Sequence, residues 1–493
     1  MKVGRIGGIG LLALLAFSIP DGQAGAETLR SAVEGVLQRH DRVLAAKADV
    51  GAGEERVSET FKSGFLPTLT LSGQYGHERR KQKAPGTDTE LEPREFDVRL
   101  SQLLFDFGKA YAAVDVARLN KDQLLADLET AQQNLILDSA TAYYQMRKTN
   151  DVLKYSKQSV ESIKRQGEVE DVRVALGRGY SSDVLQVKMQ LAGARAREVQ
   201  ATGAVAQAQE RVRTVFLQEP TDVLKYSPPD ESFLKNLPKT VDDAVAVGVQ
   251  KNPQLNKRRL TADMREAQKR GALRNNFFPT FQAIIERKFK DKISGVDEFE
   301  DETYGRVEMS YPLNLGLSGL NSVAAAGQDL ESAKRQYEDT RRLIEEQARV
   351  AWHNLNTARA NAELLNNQAN IAQKFLELAR EERKLDKRSL LEVLTAETAL
   401  INARADATAA ETDVIIAGYT LLQAMGALDT AALDSGNGPP KRMIEGPVVP
   451  PPASDAAKSA KPAADKKADA PKSDKKADGA KKGGKNDKSD TKK

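Results

Sequence analysis

Cysteine is absent from the 493-residue chain, which excludes a disulfide framework, thiolate metal ligands, a cysteine nucleophile and a lipid-modified N-terminal cysteine. Histidine occurs three times, at His40, His77 and His353, with no spacing that would gather a metal site. A phosphate-binding loop is missing too, since Gly51-Ala52-Gly53 lacks a third glycine and lies in a helix-like stretch. Ser181, Ser182 and Asp183 have no histidine in comparable context and read as helix-capping residues. We therefore expect no catalytic, cofactor-binding or metal-binding residue and no enzyme. Aromatic residues are scarce at 5%, against 29% charged residues. With abundant Ala, Gln, Glu, Arg and Leu, this composition suits long helices better than a compact catalytic domain.

Long apolar runs are also missing, with one exception at the start. Lys2 and Arg5 precede the apolar run Ile9 to Phe17 and then Ala24-Gly25-Ala26. Residues 1–26 therefore read as a secretory signal peptide cut before Glu27, the run being well short of the ~18 residues that a spanning helix needs. No other stretch can cross a membrane as a helix, so an exported chain of this kind must cross with strands. At the other end, residues 431–493 hold Pro439-Pro440, Pro450-Pro451-Pro452 and a Lys/Ala/Asp/Pro mixture without apolar periodicity, and we expect a disordered tail. Residues 453–493 carry 13 Lys and 7 Asp, whereas residues 27–452 have a net charge of −3. The overall +4 thus belongs to the tail and gives no reason to expect a nucleic-acid partner.

Between these ends the chain repeats itself. Phe65-Leu66-Pro67-Thr68 recurs as Phe277-Phe278-Pro279-Thr280, and Ala32-Val33 as Ala244-Val245, at an offset of 212. Further on the offset is 209: Leu100-Ser101 matches Met309-Ser310, Asp183-Val184-Leu185 matches Glu392-Val393-Leu394, and Ala194-Arg195-Ala196 matches Ala403-Arg404-Ala405. A tandem duplication follows, with a first copy at 27–220, a linker at 221–239 and a second copy at 240–430. Each copy predicts about 35 helical residues (27–62 and 240–275), then two strands (about 65–77 and 94–106, then 278–290 and 303–315). A long helix follows (109–177 and 317–385), then a turn and a shorter helix (181–217 and 389–426). At ~1.5 Å per residue the long helix spans ~100 Å, and the two shorter helices end to end have almost the same reach.

The long helices carry coiled-coil seams. Leu330, Tyr337, Ile344, Ala351, Ala358, Leu365, Ala372 and Ala379 recur every seven residues, with Ala348, Leu355, Ala362, Ala369 and Leu376 four positions after their partners. The strands alternate instead. Leu69, Leu71 and Tyr75 oppose Thr68, Thr70 and Ser72, and Phe96, Val98, Leu100 and Leu104 oppose Glu95, Asp97 and Arg99. Phe281, Ala283 and Ile285 likewise oppose Gln282, Glu286 and Lys288, and Val307 and Met309 oppose Arg306 and Glu308. Period two with charge on one side fits a wall between lipid and water, and it also fits an ordinary half-buried sheet. Residues 61–111 and 277–311 hold 14 of the 26 aromatic residues, and Phe65, Tyr75, Phe105, Phe278 and Tyr311 are candidates for a membrane-interface girdle. Four strands cannot close a membrane barrel, so several chains must pool theirs. A periplasmic coiled-coil scaffold or adaptor, with its sheet kept out of lipid, is the alternative reading.

Taken together, these landmarks resemble the TolC family of outer-membrane efflux and export channels. The resemblance covers roughly 27–430. It is carried by Ser63-Gly64-Phe65-Leu66-Pro67, by Leu100 to Gly108 entering the long helix, and by Ser389-Leu390-Leu391-Glu392-Val393-Leu394 with Asn402-Ala403-Arg404. It implies a mainly α homotrimer with a twelve-stranded β-barrel in the outer membrane and a twelve-helix tunnel in the periplasm. Implied partners are outer-membrane lipid, a periplasmic adaptor, and an inner-membrane ABC or proton-driven transporter that supplies an exported protein or small molecule. It implies a gate at the periplasmic end, with Arg388 at the gate arginine, Asp183 as its acidic partner in the first copy with Ser182 beside it, and Glu392 in an acidic ring. Thr395 stands at the second acidic position of that ring and Arg383 at the gate tyrosine, so the ring should carry less negative charge. Gly179 to Gln186 looks more like the type I protein-secretion branch than the drug-efflux members.

Overall fold

In the computed structural model, the described residues are 28–433, apart from 82–88, 230, 294, 312 and 386. The expected signal peptide and the tail beyond Leu433 lie outside them. The first copy opens with α1 (Leu29–Arg39) and α2 (Asp41–Phe65), followed by β1 (Thr68–Tyr75), β2 (Glu78–Arg80), β3 (Thr89–Leu91) and β4 (Arg94–Phe105). It closes with α3 (Lys109–Ala175) and α4 (Ser181–Phe216). A linking helix α5 (Pro220–Val223) and a 3₁₀ turn (Glu231–Lys235) lead to α6 (Val241–Lys251) and α7 (Pro253–Phe277). Strands β5 (Thr280–Asp291) and β6 (Phe299–Ser310) and helices α8 (Ser318–Lys384) and α9 (Leu390–Ala424) complete the second copy. Both long helices have 67 residues, which is the duplication expressed as geometry. No described helix is long and apolar enough to cross a membrane.

The uninterrupted helices anticipated over 27–62 and 240–275 are each broken, at residues 212 apart. His40 caps α2, its Nδ1 accepting from the Arg42 amide at 3.2 Å. Asn252 caps α7, its Oδ1 accepting from the amides of Gln254 and Leu255, ahead of Pro253 in the first turn. A side-chain acceptor before a helix start offers the backbone an exit from the preceding helix, and heptad counting does not register it.

Four strands form one antiparallel sheet in the order β1-β4-β5-β6. The central pairing, β4 with β5, joins the two copies. Its burial is the reverse of a soluble sheet. Leu69, Leu71, Ile285, Val307 and Met309 are 58–66% exposed, while Ile284 and Glu286 on the other face of β5 are buried. That sheltered polar face carries Glu286 bonded to Arg306 at 2.9 Å, with Lys288 at 3.7 Å. A register shift between Leu103 and Phe105 sets Phe105 opposite Phe281, so the bulge gives Phe105 the place expected for Leu104. The fourth strand also lies earlier than the expected 303–315, ending at Ser310 two residues before Pro312, which has no N–H for a ladder.

Helix α3 packs against α2 and α7 over its first half and against α4 and α9 over its second, while α8 packs against α7 and then α9. The pairs of shorter helices therefore succeed one another along the long ones. Where α9 ends and α7 begins, the Asn252 Nδ2 donates to the Ala424 carbonyl at 3.0 Å. The largest apolar core gathers at this level, around Tyr143, Tyr419, Phe216 and Leu355, with α1, α6 and the linking segment covering one side.

Candidate functional site at the helical tips

The turns α3–α4 and α8–α9 close two hairpins at the end far from the sheet. Small residues and leucines bring them together: Ile163 of α3, Val187 and Ala194 of α4, and Leu390 and Leu394 of α9 form one apolar cluster. A second cluster, Leu376, Ala379, Val393, Ala396 and Leu400, zips α8 to α9. Ser389 starts α9 by accepting from the Glu392 amide at 3.3 Å. In the first hairpin this role is empty. The N-cap of α4 is Tyr180 with no side-chain cap bond, so the capping expected of Ser181–Asp183 is not made. Asp183 sits instead in the first turn, where its charge complements the helix dipole.

Arg388 is held within its own hairpin. Its Nε lies 2.6 Å from Glu382 and 3.8 Å from Glu392, and its guanidinium lies over the Phe375 ring at 5.2 Å. Among the described residues of one chain, no ion pair joins Arg388 to Asp183. Glu392, Thr395 and Ser182 are exposed, and the Thr395 hydroxyl returns to the Leu391 carbonyl at 2.8 Å.

The ties between the two copies are made by residues that the sequence reading did not join. Arg383 of α8 reaches Glu170 of α3 at 3.0 Å and donates to the Arg388 carbonyl at 3.2 Å. Glu170 is 3% exposed and also lies 3.5 Å from Arg173. One turn further from the tip, buried Glu397 of α9 accepts from Gln166 at 3.0 Å and lies 3.4 Å from Arg380. Ser162, Gln166 and Glu170 are spaced by four, so one face of α3 holds the second hairpin. A carboxylate at a seam position between Val393, Ala396 and Leu400 was the available signal for Glu397. A buried acid persists there only with partners.

Near the sheet, aromatic rings cluster where strands become helices. Phe65 packs between Phe61 and Tyr111, at 5.1 and 4.7 Å, and Phe107 packs between Phe105 and Phe278, at 4.6 and 5.0 Å. Tyr311 lies just past β6 on the same side, whereas Tyr75 is at the opposite rim, 67% exposed.

Comparison with known proteins agrees with this architecture. The family model described as outer membrane efflux protein matches residues 32–216 and 249–427, one match in each copy. The outer membrane protein TolC of Escherichia coli K12 is 24% identical over 416 residues, covering 82% of this chain and 83% of its own. The outer membrane efflux protein BepC of Brucella suis is 24% identical over 422 residues, covering 84% and 88%. In fold, the chain is similar to the CmeC outer membrane channel of Campylobacter jejuni, with a TM-score of 0.69 at 16% identity over 87% of this chain and 96% of that one. Sheet, hairpins and duplication thus converge with two family matches on one conclusion: the chain belongs to the outer membrane efflux protein family, the TolC family of outer-membrane channels, and is not an enzyme.

Proposed function

We propose that three copies assemble into a passive duct that exports polypeptides in a type I secretion system, with a periplasmic adaptor and an inner-membrane ABC transporter. The carrying observation is an unused second seam on the helices. Along α8 and at its C-cap, Leu343, Val350, Leu364, Ile371, Leu378 and Leu385 keep one seven-residue register, interrupted at Thr357, and are 49–66% exposed. They lie on a different face from the buried seam Ile344, Ala351, Leu355 and Ala379. Helix α4 has a matching exposed line of Leu185, Met189, Ala192, Ala196, Val199 and Gly203, at steps of four and three. Each chain thus offers one seam at either end of its helix row, as a closed ring of helices requires. Edge strands β1 and β6 are likewise free to pair with a neighbour. Three chains would supply twelve strands, and lipid would cover the exposed apolar face.

On this reading Phe65, Phe105, Phe278 and Tyr311 anchor the inner interface and Tyr75 the outer one. Arg388, Asp183, Ser182, Glu392 and Thr395 form the periplasmic constriction, with the Arg388–Asp183 link reserved for contact between chains. The polypeptide reading is supported by the resemblance of Gly179 to Gln186 to the secretion branch. Deleting the gene and comparing secreted polypeptides with sensitivity to small toxic compounds tests it. Loss of a secreted polypeptide with unchanged sensitivity is expected, and the reverse result overturns it.

A further inference from the structure

The join between the two copies is a template for a join between chains. Inside each copy the strands pair alike: Thr68 faces Ser101 and Thr280 faces Ser310, so β1 corresponds to β5 at an offset of 212 and β4 to β6 at 209. The join between copies, β4 with β5, sets Leu100 opposite Ile285 and Val98 opposite Arg287. Carried forward by the same offsets, β6 of one chain meets β1 of the next with Met309 opposite Gly73 and Val307 opposite Tyr75. Such a head-to-tail contact generates a ring when its rotation closes.

This register also bears on the early end of β6. Beyond Ser101, β4 is paired by β5 alone, with Gln102 opposite Ala283 and Phe105 opposite Phe281. The corresponding Tyr311 and Asn314 would face Leu71 and Leu69 of the next chain, so a single chain offers them no strand. The loop that follows is bare: Leu313, Leu315 and Leu317 are 63–94% exposed. In the first copy the same loop is tied down. Asp106, at the place of Leu315, accepts from the amides of Gly108 and Ala110, and Phe107 packs on Phe278 at 5.0 Å. The counterpart of Phe278 is Leu66, itself 51% exposed.

The two joins differ in chemistry. Within the chain Arg99 faces Glu286, Asp97 faces Lys288 and Glu95 faces Lys290, three opposed charges that favour this pairing. Their counterparts between chains are Glu308 with Gln74, Arg306 with Gly76 and Tyr304 with Glu78, none an opposed pair of charges. Arg306 and Glu308 already serve Glu286 and Arg99 of their own chain, at 2.9 and 3.9 Å. We propose that chains join at the sheet through a neutral, apolar clasp. β6 pairs with β1 of the next copy in the register Met309–Gly73, and Leu313, Leu315 and Leu317 close over Leu66 of that copy. This rests on the three-copy reading above. It gives the bare leucines the cover that Phe278 gives Phe107.

The chain has no cysteine, so any disulfide in a double variant of the full-length channel is one placed there. Val307→Cys with Tyr75→Cys and Met309→Cys with Gly73→Cys are the matched pairs. Val307→Cys with Gly73→Cys is slipped by two residues, which puts the α-carbons beyond the ~7 Å that a disulfide spans. After mild oxidation, both matched pairs should give covalent dimers and trimers on non-reducing denaturing gels. These bands should be lost in the slipped pair and in each single variant. Leu317→Cys with Leu66→Cys should be joined by a short bis-maleimide. Linking of the slipped pair in place of the matched ones overturns the register. Matched strands without a Leu317–Leu66 link overturn the clasp and hand the leucines to lipid. The mass of the wild-type channel in detergent separates the two claims. A monomer sinks the three-copy reading, whereas a trimer lacking these links sinks only the clasp.

Discussion

Gly426 ends α9 against the start of α7 at φ +64°, where an added β-carbon would lie 2.5 Å from the Asn252 Cα and 2.7 Å from the Lys251 carbonyl. Both contacts are backbone, so neither can step aside. Gly426→Ala is expected to lower the thermal unfolding temperature of the detergent-solubilised protein more than any exposed Ala substitution. At the matching place in the first copy Leu217 holds φ +55° and is half exposed. A left-handed leucine carries strain of ~1–2 kcal/mol, and Leu217→Gly should recover about 1 kcal/mol of it in the same measurement. Tyr143 supplies a pH test. Burial in the apolar core holds its phenol above the ordinary value of 10.0, against the lowering effect of Arg147, and its hydroxyl donates to the Tyr226 carbonyl at 2.8 Å. Because the folded state holds this proton more tightly, its contribution is complete below pH ~10 and is lost as pH rises through the raised value. Tyr143→Phe should remove that alkaline loss of stability, at a cost near neutrality of about 1 kcal/mol. An unchanged alkaline profile would exclude Tyr143 as its source.

At the scale of elements, the tips divide their charges by reach. Arg388 and the Arg380–Glu397 pair span within one hairpin, whereas Arg383–Glu170 and Gln166–Glu397 span between hairpins. Removing a partner from a buried acid is costlier than loosening an exposed pair, by ~3–5 against ~0–1 kcal/mol. Arg383→Ser is therefore expected to raise single-channel conductance more than Arg388→Ser does in planar bilayers. Equal effects would mean that the intrachain tie does not restrain the tip. The long helices, the strands and the duplication were legible because each follows a period that hydrophobicity repeats many times. The breaks at His40 and Asn252 were not, since one capping side chain carries no period. Arg383–Glu170 escaped for another reason: its partners lie 213 residues apart, and only the packed hairpins bring them into reach.

At the scale of the molecule, a single chain leaves apolar strand faces, two sheet edges and two helical seams uncovered. Burying a charge in a seam should stop assembly while sparing the hairpin, whose own seam lies on another face. Leu364→Glu with Ile371→Glu is expected to abolish a heat-sensitive oligomer on gels and leave far-ultraviolet helicity intact. Persistence of the oligomer would exclude this face as the contact. The equality of α3 and α8, at 67 residues each, also limits how such a duct can change in length. An insertion in one long helix alone would slip its seams against every neighbour. Lengthening must come as whole heptads, ~10 Å at a time, added at the same depth in both long helices and in the shorter helices beside them. Duct length in relatives is thus expected to vary in discrete steps, matched between the two copies.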